Sequence, residues 1–142
     1  MNLDDIYREE ILEHNQSPRN YGHLEHPTKS AGLLNPTCGD QIKLDLIVKE
    51  GRIEEICFNG QGCSISMASA SMLTEAVKGK TVDEALTLVS NFKAFLAGGT
   101  SDVPLGDLEA LHGVSQFPSR VKCATLAHNV LEKAIAESKP EQ

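Results

Sequence analysis

Apolar residues recur along this chain with two different periods, and each period predicts one type of element. Between Leu3 and Ile11 they recur every three or four residues, so an amphipathic helix is predicted that ends before Pro18. Residues 17–37 are rich in Pro, Gly, Asn and His and show no period. An extended connection is therefore expected there, leading to the first cysteine of the chain.

A β-hairpin is predicted in the next part of the chain. Apolar and polar residues alternate over residues 42–48, and a second strand-like run covers residues 52–59. Glu50 and Gly51 stand between the two runs, as a two-residue hairpin loop requires. These runs predict an antiparallel pair of strands.

The loop length sets the expected register of this hairpin. A two-residue loop makes Lys49 face Arg52. The same pairing, extended to the open end of the hairpin, puts Cys38 opposite Cys63, with Asp40 on the same side. A β-bulge would shift the register, because the apolar residues of the second strand change face part-way along it. The convergence would then be approximate.

Three helices are predicted after the hairpin. A capping-box pair, Thr81 and Glu84, opens the second helix, and Pro118 opens the third. The expected spans are 64–79, 81–98 and 118 onward, with a connection at 100–114 that holds one short helix. Together these elements predict an α/β (α+β) fold, a small antiparallel β-sheet covered by several α-helices, in a single domain spanning residues 1–142.

Charge and composition narrow the classes of function. The net charge is −7 and Lys and Arg form no cluster, which argues against a nucleic-acid partner. The acidic N-terminal segment does not resemble a signal peptide, and no apolar run is long enough to span a bilayer. A cytoplasmic protein is expected. In that reducing compartment its four cysteines are expected to be metal ligands or reactive thiols, not disulfides.

Three of the cysteines lie in turn-like contexts that are far apart in the sequence. Cys38 is in NPTCGD, Cys63 in GQGCSIS and Cys123 in RVKCATLA, and Asp40 follows the first by two residues. Thiolates bind zinc or iron, and a carboxylate can complete four-coordination. These four residues are the candidate metal ligands, although their spacing alone is unlike that of a paired C-x-x-C zinc ribbon.

Positive charge is expected to influence the last of these thiols. Cys63 and Cys123 lie near predicted helix N-termini, where the helix dipole favours a thiolate. Arg120 and Lys122 flank Cys123 and are expected to lower its pKa further.

The remaining cysteine and the histidines are not expected to join this site. Cys57 lies in an apolar strand and is interpreted as a small buried residue. His128 is turned about 140° from Cys123 on a helix and is expected to be solvated. The other histidines lie at helix ends or in loops and are expected at the surface or beside the site: His14, His23, His26 and His112.

Four segments, SPRNYG, NPTCGD, GQGCSISMASASMLTEAVKGK and RVKCATLA, resemble the NifU-like (IscU-like) family of iron–sulfur cluster assembly proteins. The resemblance covers nearly the whole chain. Lys122, where the IscU-type branch has a histidine, and the long Cys63–Cys123 interval resemble the SufU branch. The resemblance implies the α/β fold above, ligation by Cys38, Asp40, Cys63 and Cys123, and a cysteine desulfurase of the SufS type as partner.

The resemblance also implies two alternative roles. In the first, the protein is a zinc-dependent sulfurtransferase that accepts persulfide sulfur from the desulfurase. In the second, it is a scaffold that holds a transient iron–sulfur cluster and passes it to apo acceptor proteins. A purely structural zinc site is a third interpretation.

Cys38 is the expected sulfur acceptor among the three candidate thiols. Pro36 and Gly39 place it on a loop that can move, whereas Cys63 and Cys123 are tied to the starts of helices. A thiolate that is free to move can reach the sulfur–sulfur bond of a partner protein.

Overall fold

The computed structural model describes residues 9–36 and 38–137, and these residues form a three-stranded antiparallel sheet and five helices. The elements in chain order are α1 (Glu9–Gln16), β1 (Lys29–Asn35), β2 (Asp40–Lys49), β3 (Arg52–Gln61), α2 (Ser64–Val77), α3 (Val82–Leu96), a 3-10 helix (Gly106–Gln116) and α4 (Pro118–Glu137). The predicted fold class is confirmed. The predicted first turns of α1 lie outside the described residues.

Strand β1 was not predicted, because residues 17–37 were expected to be an extended connection. It pairs antiparallel with β2, from Lys29 opposite Leu46 to Asn35 opposite Asp40. Its sequence, KSAGLLN, contains a glycine and two adjacent leucines, so its apolar period is weak. The strand forms because β2 offers it a ladder of hydrogen bonds.

The β2–β3 hairpin has the predicted loop but not the predicted register throughout. Lys49 pairs with Arg52 as expected, and the register shifts between Ile47 and Val48. The shift lets Ile53 and Ile56 both lie fully buried, although they are three positions apart along the strand and would otherwise face opposite sides. Direct pairing of Cys38 with Cys63 is therefore wrong, because the described pairs end at Gln41 opposite Gln61, and the alternative with a bulge is the one observed.

Helices α2 and α4 pack against one face of the sheet and against each other. The inward side chains of the sheet are fully buried: Ile42, Leu44, Leu46, Ile56 and Phe58. Four small residues of α2 are also fully buried: Ala68, Ser69, Ala70 and Ser71. Such short side chains let neighbouring helices approach closely, so the start of α4 lies next to the end of the sheet that carries the NPTCGD loop.

The predicted helix signals are confirmed where they could be read from the sequence. Thr81 accepts a hydrogen bond from the backbone of Glu84, and the Glu84 side chain binds the Thr81 backbone in return. Helix α2 begins at Ser64, one residue after Cys63, and α4 begins at Pro118. Cys123 accordingly lies in the second turn of α4.

Helix α1 is attached to the core through His14, which is fully buried. Its Nδ1 lies 2.7 Å from Ser71 Oγ, and its Nε2 lies 2.9 Å from Asp107 Oδ2. The expectation that His14 lies at the surface or beside the cysteines is wrong. Its place at the end of a short helix let the ring reach both α2 and the 3-10 helix.

His128 is also fully buried, contrary to the expectation that it is solvated. Its ring stacks on Phe92 of α3 with centroids 4.3 Å apart, and its Nε2 lies 3.3 Å from Ser69 Oγ. Its Nδ1 has no hydrogen-bond partner among the described residues. The predicted turn away from Cys123 was right, but that side of α4 faces α3 and α2 instead of water.

This burial predicts an acid-sensitive contribution to stability. Burial, and then the charge of Lys93, lower the pKa of His128 from 6.5 to about 3. Between those values the unfolded chain binds a proton that the folded chain does not, so stability falls as pH decreases below 6.5, by up to about 1.4 kcal/mol per pH unit. Replacing His128 by Gln should reduce the dependence of the unfolding free energy on pH, measured by urea unfolding at pH 4 to 7.

The matched control is His26→Gln, which changes an exposed histidine. Its pH dependence should follow that of the unmodified chain. An identical acid loss in the His128→Gln and His26→Gln variants would contradict the assignment to His128.

Candidate metal centre

The NPTCGD loop joins the ends of β1 and β2, which are held together by the pair Asn35 and Asp40. The Asn35 carbonyl accepts hydrogen bonds from the backbone N–H of Cys38 at 3.3 Å and of Gly39 at 2.8 Å. Gly39 has a φ of +74°, a conformation that glycine adopts without strain. The turn leaves Cys38 partly exposed at the end of the sheet.

Asp40, like Cys123, is a fully buried member of the candidate set. Its Oδ1 accepts a hydrogen bond from the Cys63 backbone N–H at 2.9 Å, and its Oδ2 accepts one from Asn35 Nδ2 at 3.3 Å. A buried carboxylate needs such partners, because its desolvation is otherwise very costly. The carboxylate therefore links β1, β2 and the start of α2 at one point.

Two glycines of the GQGC segment make this approach possible. A Cβ on Gly62 would lie 2.5 Å from Asp40 Oδ1 and 2.5 Å from Ser66 Oγ. A Cβ on Gly60, whose φ is +139°, would collide with the backbone oxygen of Gln41. The chain needs glycine at both positions to bring Cys63 beside Asp40.

Cys123 completes the inner part of the site from α4. It is fully buried, and its Sγ lies 3.1 Å from Cys38 Sγ and 3.8 Å from Asn35 Nδ2. The ligand atoms of Cys38, Asp40 and Cys123 all lie within 4.8 Å of one another. The structure thus brings together three of the four residues named from the sequence, although they come from a loop, a strand and a helix.

Cys63 lies at the edge of this group. Its sulfur is 3.9 Å from Ser66 Oγ and is not one of the three atoms within 4.8 Å, while its backbone is fixed to Asp40. It occupies the residue before α2 without capping the helix through its side chain. The third thiol of the candidate set is therefore adjacent to the other donors.

The electrostatics differ from the expectation in one respect. Burial raises the pKa of the Cys123 thiol, and hydrogen bonds with Cys38, Asp40 and Cys63 raise it further. We expected Arg120 and the helix dipole to lower this pKa. That expectation is wrong, because Cys123 has no exposed surface and its burial has the larger effect.

Arg120 nonetheless lies beside the thiols, as expected from the sequence. Burial alone would lower the pKa of its guanidinium, but the charges of Cys63 and Cys123 and a hydrogen bond with Cys63 raise it overall. The arginine thus faces the thiols from the first turn of α4. Lys122, the other basic residue beside Cys123 in the sequence, is exposed to solvent.

Asn35 is the neighbour of the ligands that the sequence reasoning missed. It is part of NPTCGD, but an asparagine before a proline is typical of a turn, and nothing in the pattern marks it as buried. Its side chain is 7% exposed and faces Asp40 and Cys123. Only the pairing of β1 with β2, which was also missed, brings the amide to this place.

Cys57 does not take part in the site. It pairs with Asp45 in the middle of the sheet and is partly exposed, so the interpretation as a buried apolar residue is only half right. Burial raises the pKa of its thiol, and the nearby charges of Glu55 and Asp45 raise it further. A thiol with a raised pKa is a weak nucleophile at neutral pH.

The donor set fits a zinc ion. Zinc–sulfur bonds of about 2.3 Å and zinc–oxygen bonds of about 2.0–2.2 Å place neighbouring tetrahedral ligand atoms about 3.3–3.8 Å apart. The Sγ atoms of Cys38 and Cys123 are 3.1 Å apart, and Asp40 lies within the same 4.8 Å limit. Small side-chain movements bring these atoms to zinc distances. A thiolate-rich set of this kind also suits iron.

Comparison with known proteins identifies the family of the chain. Residues 6–142 match the model of the NifU-like N terminal domain. Over 138 residues the chain is 47% identical to the zinc-dependent sulfurtransferase SufU of Bacillus subtilis, covering 96% of this chain and 93% of that protein. It is 43% identical over 138 residues to the iron–sulfur cluster assembly scaffold protein IscU of Streptococcus pyogenes, covering 96% and 86%.

Solved structures of related proteins have the same fold as this chain. A SUF-system scaffold protein from Fervidobacterium islandicum superposes with a TM-score of 0.88 at 31% identity, covering 94% of this chain and 99% of that one. A NifU-like N-terminal protein from Brucella abortus gives 0.89 at 22% identity, covering 96% of each, and supports the fold alone. With its fold, its clustered cysteines and its near full-length relatives in agreement, the chain belongs to the NifU-like N-terminal domain family.

Proposed function

We propose that this protein acts in iron–sulfur cluster assembly by accepting persulfide sulfur from a cysteine desulfurase at a zinc site. The proposed ligands are Cys38, Asp40, Cys63 and Cys123. The observation that carries the proposal is the meeting of two thiols and a buried carboxylate within 4.8 Å in a relative of a zinc-dependent sulfurtransferase.

The transfer itself is thiol–persulfide exchange. Bound zinc supplies charge that keeps the sulfurs deprotonated. When the desulfurase docks, the Cys38 thiolate attacks the outer sulfur of the enzyme's persulfide. A new sulfur–sulfur bond forms on Cys38, the old one breaks, and the enzyme's cysteine departs as a thiolate. No oxidant or reductant is needed.

The surroundings of the thiols favour Cys38 as the acceptor. Cys38 is partly exposed on a loop, whereas Cys123 is fully buried in a helix. Asp40 would ease the exchange of ligands, because a carboxylate holds zinc less firmly than a thiolate does. Cys63 is also partly exposed, but its backbone is held by Asp40 at the start of α2, so Cys38 is the more mobile of the two accessible thiols.

A scaffold function is the second candidate. It is favoured by the 43% identity to a protein named as an IscU scaffold over nearly the whole chain. In that case the same thiols hold an iron–sulfur cluster as cargo and release it to apo acceptor proteins. The donor set suits iron as well as zinc, so metal content must separate the two functions.

The proposed partners and compartment follow from the chemistry. A thiol site that exchanges sulfur requires reducing conditions, and all four cysteines are free. The cytoplasm is proposed on this basis, and a SufS-type desulfurase is proposed from the similarity to the sulfurtransferase SufU. No helix in the described part of the chain has the length and apolar character needed to cross a membrane.

Substitution of the acceptor tests the proposal directly. Cys38→Ser should abolish stimulation of the desulfurase in a sulfide-release assay, because the mobile nucleophile is lost. The Cys57→Ser variant, altered outside the site, should stimulate as the unmodified chain does. Mass spectrometry after reaction should find the persulfide on Cys38, and a persulfide mainly on Cys123 would overturn the assignment.

Metal content separates relay, scaffold and structural site. The purified protein should be colourless with one zinc per chain, and chelation should abolish sulfur acceptance while circular dichroism retains most of the helix signal. A brown protein that passes its cluster to an apo acceptor would favour the scaffold. Complete unfolding on chelation would favour a structural zinc site.

Gly62 gives a test that changes none of the proposed ligand residues themselves. Gly62→Ala should weaken zinc binding, because the new methyl group displaces Asp40 from the Cys63 backbone N–H. The loss should be about 10- to 100-fold in a chelator competition assay, as for other residues that orient ligands.

Gly32→Ala is the matched control, since Gly32 lies on β1 and its added methyl group would lie 3.4 Å or more from other atoms. Equal zinc affinities in the two variants would contradict the proposed role of Asp40 as a zinc ligand.

A further inference from the structure

The side-chain amide of Asn35 is shared between two proposed ligands. Its Nδ2 lies 3.3 Å from Asp40 Oδ2 and 3.8 Å from Cys123 Sγ, and the residue is 7% exposed. An amide nitrogen carries two hydrogens, so it can donate to an oxygen and a sulfur at once. This buried donor connects the carboxylate with the buried thiol.

The backbone fixes the amide in that place. Asn35 is the last residue of β1 and pairs with Asp40, the first residue of β2. Its carbonyl accepts the N–H groups of Cys38 and Gly39, so the same residue closes the turn that carries Cys38. One asparagine therefore faces Asp40 and Cys123 with its side chain and Cys38 with its backbone.

The side-chain contact of Asn35 with Cys123 and its backbone contact with Cys38 have different consequences for the two thiols. A thiolate that accepts a hydrogen bond has a stabilised lone pair and attacks more slowly, whereas its place as a ligand becomes more fixed. Cys123 receives the amide and is buried, while Cys38 is partly exposed and is bound to Asn35 through its backbone alone. The donor is thus aimed at the thiol that should stay.

We propose that Asn35 is a positioning residue that retains Cys123 and Asp40 in the metal site, so that Cys38 is the thiol that leaves and accepts sulfur. This inference rests on the proposed function and assigns the choice between thiols to one amide. The residue acts through the ligands and does not touch the transferred sulfur.

Asn35→Leu tests the proposal, because leucine has nearly the shape of asparagine and no donor. Zinc affinity in a chelator competition assay should fall about 10- to 100-fold. With cobalt in place of zinc, the sulfur-to-cobalt absorption bands should shift relative to those of the unmodified chain. After reaction with the desulfurase, the preference of the persulfide for Cys38 over Cys123 should fall by up to about tenfold, the worth of one such hydrogen bond.

Two further variants separate donation from packing. Asn35→Ser keeps a shorter donor and should give intermediate values even if leucine prevents folding. Gln41→Leu changes an exposed residue that follows Asp40 on β2. It should leave the zinc affinity, the cobalt bands and the persulfide distribution unchanged.

The outcomes distinguish this inference from the function on which it rests. Unchanged zinc affinity, cobalt bands and persulfide distribution in a folded Asn35→Leu variant would overturn the role of Asn35 and leave sulfur acceptance intact. Failure of the unmodified chain to take up sulfur would instead overturn the proposed function, and the inference with it.

Discussion

The site depends on the burial of the Asp40 carboxylate. Buried carboxylates are tolerated only with hydrogen-bond donors, and here the donors are the Cys63 backbone N–H and the Asn35 amide. Each donor belongs to a segment that carries or adjoins a cysteine. Satisfying one buried charge therefore fixes the relative positions of β1, β2 and the start of α2, and it does so before any metal is considered. Gly62 is required by the same contact, since a side chain there would occupy the place of the carboxylate.

Much of this arrangement could be predicted from the sequence, and the limits have physical causes. The candidate ligands, the hairpin loop and the Thr81 capping box are local patterns, and local patterns are readable. The register was readable only in part: the change of face along the second strand indicated a bulge, but its position depends on how the core packs Ile53 and Ile56. Strand β1 was missed for a similar reason: it owes its structure to its partner strand and not to its own sequence period.

The histidines show why the solvent exposure of a residue is harder to predict than its place on a helix. The helical angle between Cys123 and His128 was predicted correctly, yet the expected solvent on that side of α4 is occupied by Phe92 and Ser69. The same neglect of packing led to the wrong direction for the pKa of Cys123. A helix N-terminus and a nearby arginine favour a thiolate, but the burial of Cys123 has the larger effect.

The unequal anchoring of the thiols bears on what the site is for. In a purely structural zinc site, all ligands are held equally, because any mobile ligand weakens the fold that the metal supports. Here Cys123 is fixed by a helix, by burial and by an amide contact, whereas Cys38 lies partly exposed on a short turn. A site with one loosely held sulfur can open at that sulfur while the other ligands stay in place. This asymmetry favours the proposed sulfur relay over a purely structural zinc site.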